Sequence, residues 1–288
     1  MYFGLYIPPF GDYADARLVS RLARDAEEAG WDGIFLWDHL VMSWPDPVVD
    51  PWVALTAVAM NTERIRFGAM VTPLTRRRPW VLARQTVSLD HLSGGRLILG
   101  AGLGYSPEPD FTGFGEVAGP RERGAMLDEA LAVLTGLWRG EPFKYDGKYY
   151  HVAETLFLPA PLQTPRIPIW LSGLWPNKAP FRRAARWDGV FPLNAGSVET
   201  DMTPPQYVEM IEYIAAHRTA ASPFDIVHRG TTPGQDLTQD AAIVRPFAEA
   251  GVTWWLECID PWRCGWHGSG RWPLEAMRER VRIGPPIL

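Results

Sequence analysis

Cysteine is scarce: the chain has two, Cys258 and Cys264, both near its C-terminal end. One pair at that spacing makes neither a disulfide framework nor a zinc site, so reduced thiols are expected. Long hydrophobic runs are missing too. Nowhere do about 18 apolar residues follow one another, which argues against a membrane span. The opening MYFGLYIPPFGDY has no basic leader, no long apolar segment and no small-residue cleavage site. The expected location is therefore the cytosol. Blocks of positive charge are absent. A net charge of −5 is spread along the chain, and RRR at 76–78 is too short to make a nucleic-acid surface. Repeats, low-complexity tracts and linkers are also lacking, so residues 1–288 are expected to form a single domain.

What is present is an ordinary globular balance, 47% hydrophobic and 21% charged, with enough apolar material for a large core. Fourteen tryptophans stand out. Such rings fill cores and also wall ligand cavities. Short apolar runs alternate with amphipathic stretches. FGLYI leads to DARLVSRLARDAEEAG, where Leu18, Leu22, Ala23 and Ala26 keep helical spacing and Gly30 is a stop. GIFLW precedes a helix capped by Asp50, RIRFGAMV precedes one opened by Pro79, and RLILGAG precedes a long amphipathic helix. FKYDGKYYHV then interrupts the alternation with Asp146-Gly147 between β-rich arms, a hairpin signal. Four further units follow: IPIWLSG, DGVFPL, FDIVHRG and GVTWWLECI, each with a helical stretch behind it. Eight strand–helix units predict an α/β fold, a closed (β/α)8 TIM barrel with a β-hairpin inserted after the fourth unit. The open dinucleotide-binding sheet is excluded, because the turn after its first strand reads IPPFGDY and Tyr105 replaces the third glycine of GAGLGY.

Barrel enzymes work at the C-terminal strand ends. Here those ends carry Pro8-Pro9, Asp38-His39, Thr72-Pro73, Gly102-Leu103-Gly104, Ser172-Gly173, Asn194, Arg229 and Glu257. Asp38 beside His39 reads either as a cap next to a surface histidine or as a pair that moves a proton at a polar ring. A metal would need more imidazoles and carboxylates nearby, such as His-x-His after the first strand. Only Glu257 offers itself, and no metal is assigned. GAGLG at 100–104 reads as a tight turn or a phosphate nest. LSGLWPNK at 171–178 reads as a second small-residue turn, with Lys178, Arg182 and Arg183 close in sequence. Two such turns after neighbouring strands can share one phosphate.

Together these stretches resemble the bacterial luciferase-like flavin-dependent oxidoreductases over nearly the whole chain. The most specific segment runs RRRPWVLARQTVSLDHLSGGRLILGAGLG, from Arg76 to Gly104. IPIWLSG followed by RRAARWDGVFP, and the YDGKYY hairpin, add to it. The resemblance implies a TIM-like barrel that binds coenzyme F420 or FMN at the strand C-termini, and a dimer, the family's habit. It implies that His39 lies near the reactive ring carbon and that Asp38 is turned toward the cofactor. It further implies a non-proline cis bulge at Met70-Val71 backing the ring, with Thr72 beside it as a cofactor contact. Gly102, Leu103, Gly104, Ser172 and Gly173 match the turns that hold the phosphate, and Trp44 matches an aromatic residue near the active site. In that family a glutamate often precedes the aromatic residue after the glycine-rich turn. Here the position is Asp110, in PEPDF. The implied activity is hydride transfer between F420 and a small organic substrate. The alternatives are an FMN-dependent monooxygenase using oxygen and a non-catalytic flavin-binding barrel.

Overall fold

The computed structural model describes residues 1–288 apart from 44–45, 105–108, 198–199 and 269. Strand β1 (Tyr2–Ile7) leads to helix α1 (Ala16–Glu28), and β2 (Gly33–Leu36) to α2 (Pro51–Asn61). The third unit has β3 (Arg66–Ala69), a two-residue β4 (Thr72–Pro73) and α3 (Pro79–Ser93). β5 (Leu99–Gly102) and α4 (Pro120–Leu137) complete the fourth unit. A hairpin of β6 (Pro142–Asp146) and β7 (His151–Leu156) follows. The second half runs β8 (Ile169–Trp175), α5 (Lys178–Ala184), β9 (Gly189–Asn194), α6 (Pro204–Ala215), β10 (Asp225–Gly230), α7 (Leu237–Glu249), β11 (Trp254–Cys258) and α8 (Leu274–Ile283).

Local chemistry sets these boundaries. The Asp50 carboxylate accepts from the Trp52 and Val53 amides at the start of α2, and Pro51 fills the first helical position. Helix α3 opens at Pro79 and ends on Gly94, which takes a left-handed φ of 66°. All pairings in the large sheet are parallel, in the order β3-β2-β1-β11-β10-β9-β8-β5-β4. A bridge between Phe67 and Leu97 closes the ring, with Ile98 N donating to Phe67 O at 2.9 Å. The hairpin stands apart as a separate antiparallel pair.

One element breaks where the resemblance implied a cis bulge, and another differs from the sequence expectation. The third strand breaks in two around Met70-Val71, whose peptide bond is cis. Ser172 and Gly173, expected in a turn, lie inside β8, which continues to Trp175. Pairing with β9 as far as Trp175↔Asn194 is what carries the strand past the small residues.

Alternate strand residues point into the barrel. Tyr6, Phe35, Met70, Ile98, Trp170, Phe191, Val227, Trp254 and Leu256 form one buried cluster that includes no helical residue. Phe35, Trp170 and Trp254 pack ring on ring at 5.3–5.9 Å. Each large ring withdraws about 150–250 Å² from water, a gross gain of roughly 4–6 kcal/mol. Two of the fourteen tryptophans, Trp170 and Trp254, thus help fill the barrel interior, which leaves its ends for ligands.

Candidate active site

The C-terminal mouth is assembled from β2, the loop after β4 and the segment after β5. β2 ends in Leu36, and the chain then presents Trp37, Asp38 and His39. The Asp38 side chain is fully enclosed. Its Oδ1 accepts from Arg76 Nη2 at 2.8 Å and Arg77 Nη2 at 3.0 Å, and its Oδ2 accepts from Arg77 Nη2 at 2.8 Å. Arg76 Nη2 also donates to the Asp38 carbonyl at 2.8 Å. Such a buried carboxylate–guanidinium cluster is held by charge-assisted hydrogen bonds on both oxygens.

His39 takes a different partner. Its Nδ1 lies 2.6 Å from Asp110 Oδ2, across 71 residues of sequence. Asp110 Oδ1 accepts from the Leu40 and Val41 amides at 2.8 and 3.2 Å. Arg76 Nη1 makes an ion-pair contact with Asp110 Oδ2 at 2.9 Å. Burial by itself would raise the Asp110 pKa. The His39 hydrogen bond, the charges of Arg76 and His39, and the Leu40 amide outweigh it and hold the carboxyl well below the usual range. Asp110 is therefore ionised and accepts only, so the proton on the shared bond belongs to His39 Nδ1. In the neutral imidazole that leaves Nε2 as the acceptor, and in the cation Nε2 is a donor. His39 keeps 23% of its side chain exposed against 6% for Asp110, so the imidazole is the member a ligand reaches.

Beside this pair lies a mostly apolar cradle. Trp37 sits against the barrel-interior cluster, 6.2 Å from the His39 ring and 5.5 Å from Tyr6. Tyr6 Oη donates to the carbonyl of Met70, on the cis bond, at 3.1 Å. Val71 packs on the same cluster, next to Gly102. A Cβ at Gly102 would come 2.3 Å from Ser172 Oγ and 2.8 Å from Val71 Cγ2, so only glycine permits this approach. Leu103 O accepts from Arg123 Nη1 at 2.7 Å, and Gly104, at φ 85°, lies against the Phe111 ring.

A flat polar ring fits this cradle. Among the described residues, the buried Trp37 Nε1 and Thr72 Oγ1 have no hydrogen-bond partner, and a heterocycle with ring carbonyls and N–H groups can satisfy such atoms.

The structure thus brings together Asp38, His39, Met70, Val71, Thr72, Gly102 and Ser172. Trp44 lies outside the described residues. Gly173 is set back from the rest, with α5 packed against it at Pro180. Lys178 and Arg183 point elsewhere: Lys178 stacks 3.6 Å over the Trp175 ring, and Arg183 pairs with Asp128 at 2.8 Å. Glu257 is fully buried, accepting from Thr232 N, Trp255 Nε1 and Arg263 Nη1. Sequence reasoning missed Arg76, Arg77 and Arg123 altogether, and it held Asp110 only as a departure. The signal that could have found Arg76, Arg77 and Asp110 was the arginine pair that opens the most specific motif and the acid that follows its end. A depression also opens at the opposite end of the barrel, around Tyr2, Arg66 and Trp254. It lacks both the acid–base pair and the glycine approach.

A parallel barrel with an oriented imidazole and a flat, polar-edged cradle at its mouth defines a flavin-type redox barrel. The chain belongs to the luciferase-like monooxygenase family, whose model matches residues 1–232. It is accordingly a flavin- or F420-dependent oxidoreductase or monooxygenase that acts on a small organic substrate. It is 30% identical over 225 residues to the uncharacterized protein Rv0940c of Mycobacterium tuberculosis, covering 71% of this chain and 74% of that one. It is 33% identical over 204 residues to the F420-dependent glucose-6-phosphate dehydrogenase of Nakamurella multipartita, covering 67% of this chain and 58% of that one. The fold matches an F420-dependent secondary alcohol dehydrogenase in complex with an F420-acetone adduct at a TM-score of 0.75 and 15% identity, over 89% of this chain and 92% of that one. Among the described residues no helix is long and apolar enough to cross a membrane.

Proposed function

We propose that the chain is an F420-dependent oxidoreductase in which His39, oriented by Asp110, takes or gives the proton that accompanies hydride transfer. The 2.6 Å contact between His39 Nδ1 and Asp110 Oδ2 at the mouth carries this reading. Bound there, the deazaflavin supplies a two-electron hydride donor or acceptor. The protein's own share is positional and protic. Trp37, Val71 and Gly102 would hold the ring, and Thr72 Oγ1 and Trp37 Nε1 would be available to its polar atoms. When a substrate H–C–X–H group is oxidised, the hydride leaves the carbon and His39 Nε2 accepts the proton released from X–H. In the reverse direction it returns it. Asp38 serves from below, fixing Arg76 and Arg77, and Arg76 in turn touches Asp110. The name of the dehydrogenase relative, at 33% identity, supports F420.

A second reading is an FMN-dependent monooxygenase, favoured by the description of the family model itself. The two separate by experiment. F420 and FMN are titrated against the protein, and substrates are screened for bleaching of the deazaflavin absorbance or for oxygen uptake with reduced FMN. Substrate-dependent change of F420 without oxygen uptake supports the first reading, and oxygen uptake with FMN alone replaces it by the second. A cytosolic homodimer belongs to the proposal. Both cysteines are free thiols, as suits a reducing compartment. Helices α2 and α3, which pack against each other, also leave the apolar Val53, Met60, Val81 and Leu92 exposed, which suits a second copy. Sedimentation should give a dimer, and Met60→Lys with Leu92→Lys a monomer.

A further inference from the structure

A run of aromatic rings leads outward from the imidazole. Trp37 lies 6.2 Å from His39, Phe10 lies 5.7 Å from Trp37, and Trp262 lies 6.2 Å from Phe10, ring centre to ring centre. Phe10 is buried, with Trp272 packed edge-on against it at 5.4 Å. Trp262 differs, because it keeps 42% of its surface exposed. Sheet order places this run relative to the cofactor cradle. Strand β2 has β3 on one side, and β1 then β11 on the other. Val71 and Gly102 of the cradle belong to the β3–β5 side, whereas Phe10 and Trp262 follow β1 and β11. His39, just past the end of β2, stands where the two sides meet.

The exposed indole is held in place by its own turn. Trp262–Cys264 is a single 3-10 turn, closed by Gly265 N donating to Trp262 O and Trp266 N donating to Pro261 O, both at 3.1 Å. Gly265 takes a left-handed φ of 82°, which lets the chain turn back. The next residue, Arg263, ties the turn to the barrel. Its Nη1 donates to Glu257 Oε1 at 2.5 Å and to the Cys258 carbonyl at 2.7 Å, and its Nη2 donates to the Thr232 carbonyl. Glu257 is fully buried, so this clasp is a set of charge-assisted bonds in a dry place. Trp266 also packs on Trp262 at 5.9 Å. A large ring fixed in the open gives an apolar ligand a surface to bury at little further ordering cost.

The charged groups at the same end are engaged by the protein. Arg76 and Arg77 bind Asp38, Arg123 binds the Leu103 carbonyl, and Arg263 binds Glu257. Arg229 pairs with Asp201, among other interactions. A charged substrate group would have to break one of these arrangements to gain a partner, whereas an uncharged flat one only removes water from the indole.

We propose that Trp262 is a specificity residue whose exposed indole takes the flat apolar body of the substrate, an uncharged aromatic or alicyclic molecule whose reacting group then lies at His39. The assignment rests on the mouth being the redox site, and its test is chosen to fail separately from that reading.

The test is calorimetric titration of three probes into protein saturated with F420, and in parallel with FMN. The probes are 2-naphthylmethanol, flat and uncharged; glycerol, uncharged without an apolar body; and lactate, charged. The naphthyl probe should bind at least about tenfold tighter than the other two. Trp262→Ala should weaken it by about tenfold, and Trp262→Phe, which keeps a flat ring, should restore most of the loss. Cofactor affinity should stay within about twofold in both variants, which a collapse of the mouth would not allow. If Trp262→Ala misfolds, Trp262→Leu keeps the apolar bulk without the flat ring and should still lose several-fold. Three results overturn the assignment: no binding of the naphthyl probe or tighter binding of glycerol or lactate, unchanged naphthyl binding in Trp262→Ala or Trp262→Leu, or a parallel loss of cofactor affinity. If neither cofactor binds, the redox reading fails, while the same titration on the protein alone still decides the role of Trp262.

Discussion

Replacing Asp110 by asparagine separates a proton relay from a merely structural contact. The carboxylate serves donors on both sides: the Leu40 and Val41 amides on Oδ1, and His39 Nδ1 with Arg76 on Oδ2. A carboxamide of the same shape has one acceptor and one donor group, so it cannot serve both. If its oxygen faces the amides, its NH2 points at His39 Nδ1 and forces the proton to Nε2. If it turns over, two amides lose their partner. The first arrangement costs about 1.5–3 kcal/mol for a lost charge-assisted bond, and the second costs more. Folded stability should therefore drop by about 2–4 kcal/mol in urea denaturation. Function should suffer more, because a histidine protonated on the mouth-facing nitrogen cannot act as a base there. Misassigned tautomers of this kind cost roughly 10²–10⁴ in rate. A nitrogen–proton correlation spectrum reports the tautomer directly, and turnover with a substrate found in the screen reports the rate. A variant that keeps the proton on Nδ1 and turns over within about threefold of the wild type refutes the reasoning.

Further outcomes follow from the same geometry. Asp38→Ala leaves two guanidinium groups without their shared carboxylate and should lower stability by about 3–5 kcal/mol, read as a fall in the urea midpoint. Acid should act through Asp110. Its folded pKa lies below the unfolded value of about 3.9, so its contribution is present above about pH 4 and is lost as pH falls through the folded value. The urea midpoint of the wild type should fall steeply below pH 4, and that part of the fall should be missing in Asp110→Asn. Gly102→Ala drives a Cβ to 2.3 Å from Ser172 Oγ. It should cost about 1–3 kcal/mol in stability and at least tenfold in cofactor affinity, with partial rescue by adding Ser172→Gly.

Local chemistry carried most of the fold into the sequence. Alternation, the Asp50 cap, Pro79 at a helix start and Asp146-Gly147 between β-rich arms each act within a few residues, so each was legible. Asp38-His39 was legible as a place, because a strand must end before its polar residues reach a barrel mouth. Its partners were not. His39 meets Asp110 across 71 residues and Asp38 meets Arg77 across 39, and no period or spacing encodes such pairs. RRR at 76–78 gave no sign that its first two members are drawn inward by one buried carboxylate. The length of β8 was also hidden. Small residues read as a turn by themselves, yet pairing with β9 holds Ser172 and Gly173 in the strand. Lys178 and Arg183 were close to the turn in sequence, and ring stacking and Asp128 hold them elsewhere.

The central claim is that the cofactor sits at the mouth beside His39. The direct measurement is equilibrium titration of F420 and FMN, followed by quenching of tryptophan fluorescence, on the wild type, Gly102→Ala and Arg66→Ala. The account predicts one site per chain, weakened at least tenfold by Gly102→Ala and untouched by Arg66→Ala in the depression at the far end. Binding that survives Gly102→Ala and is lost in Arg66→Ala would contradict it.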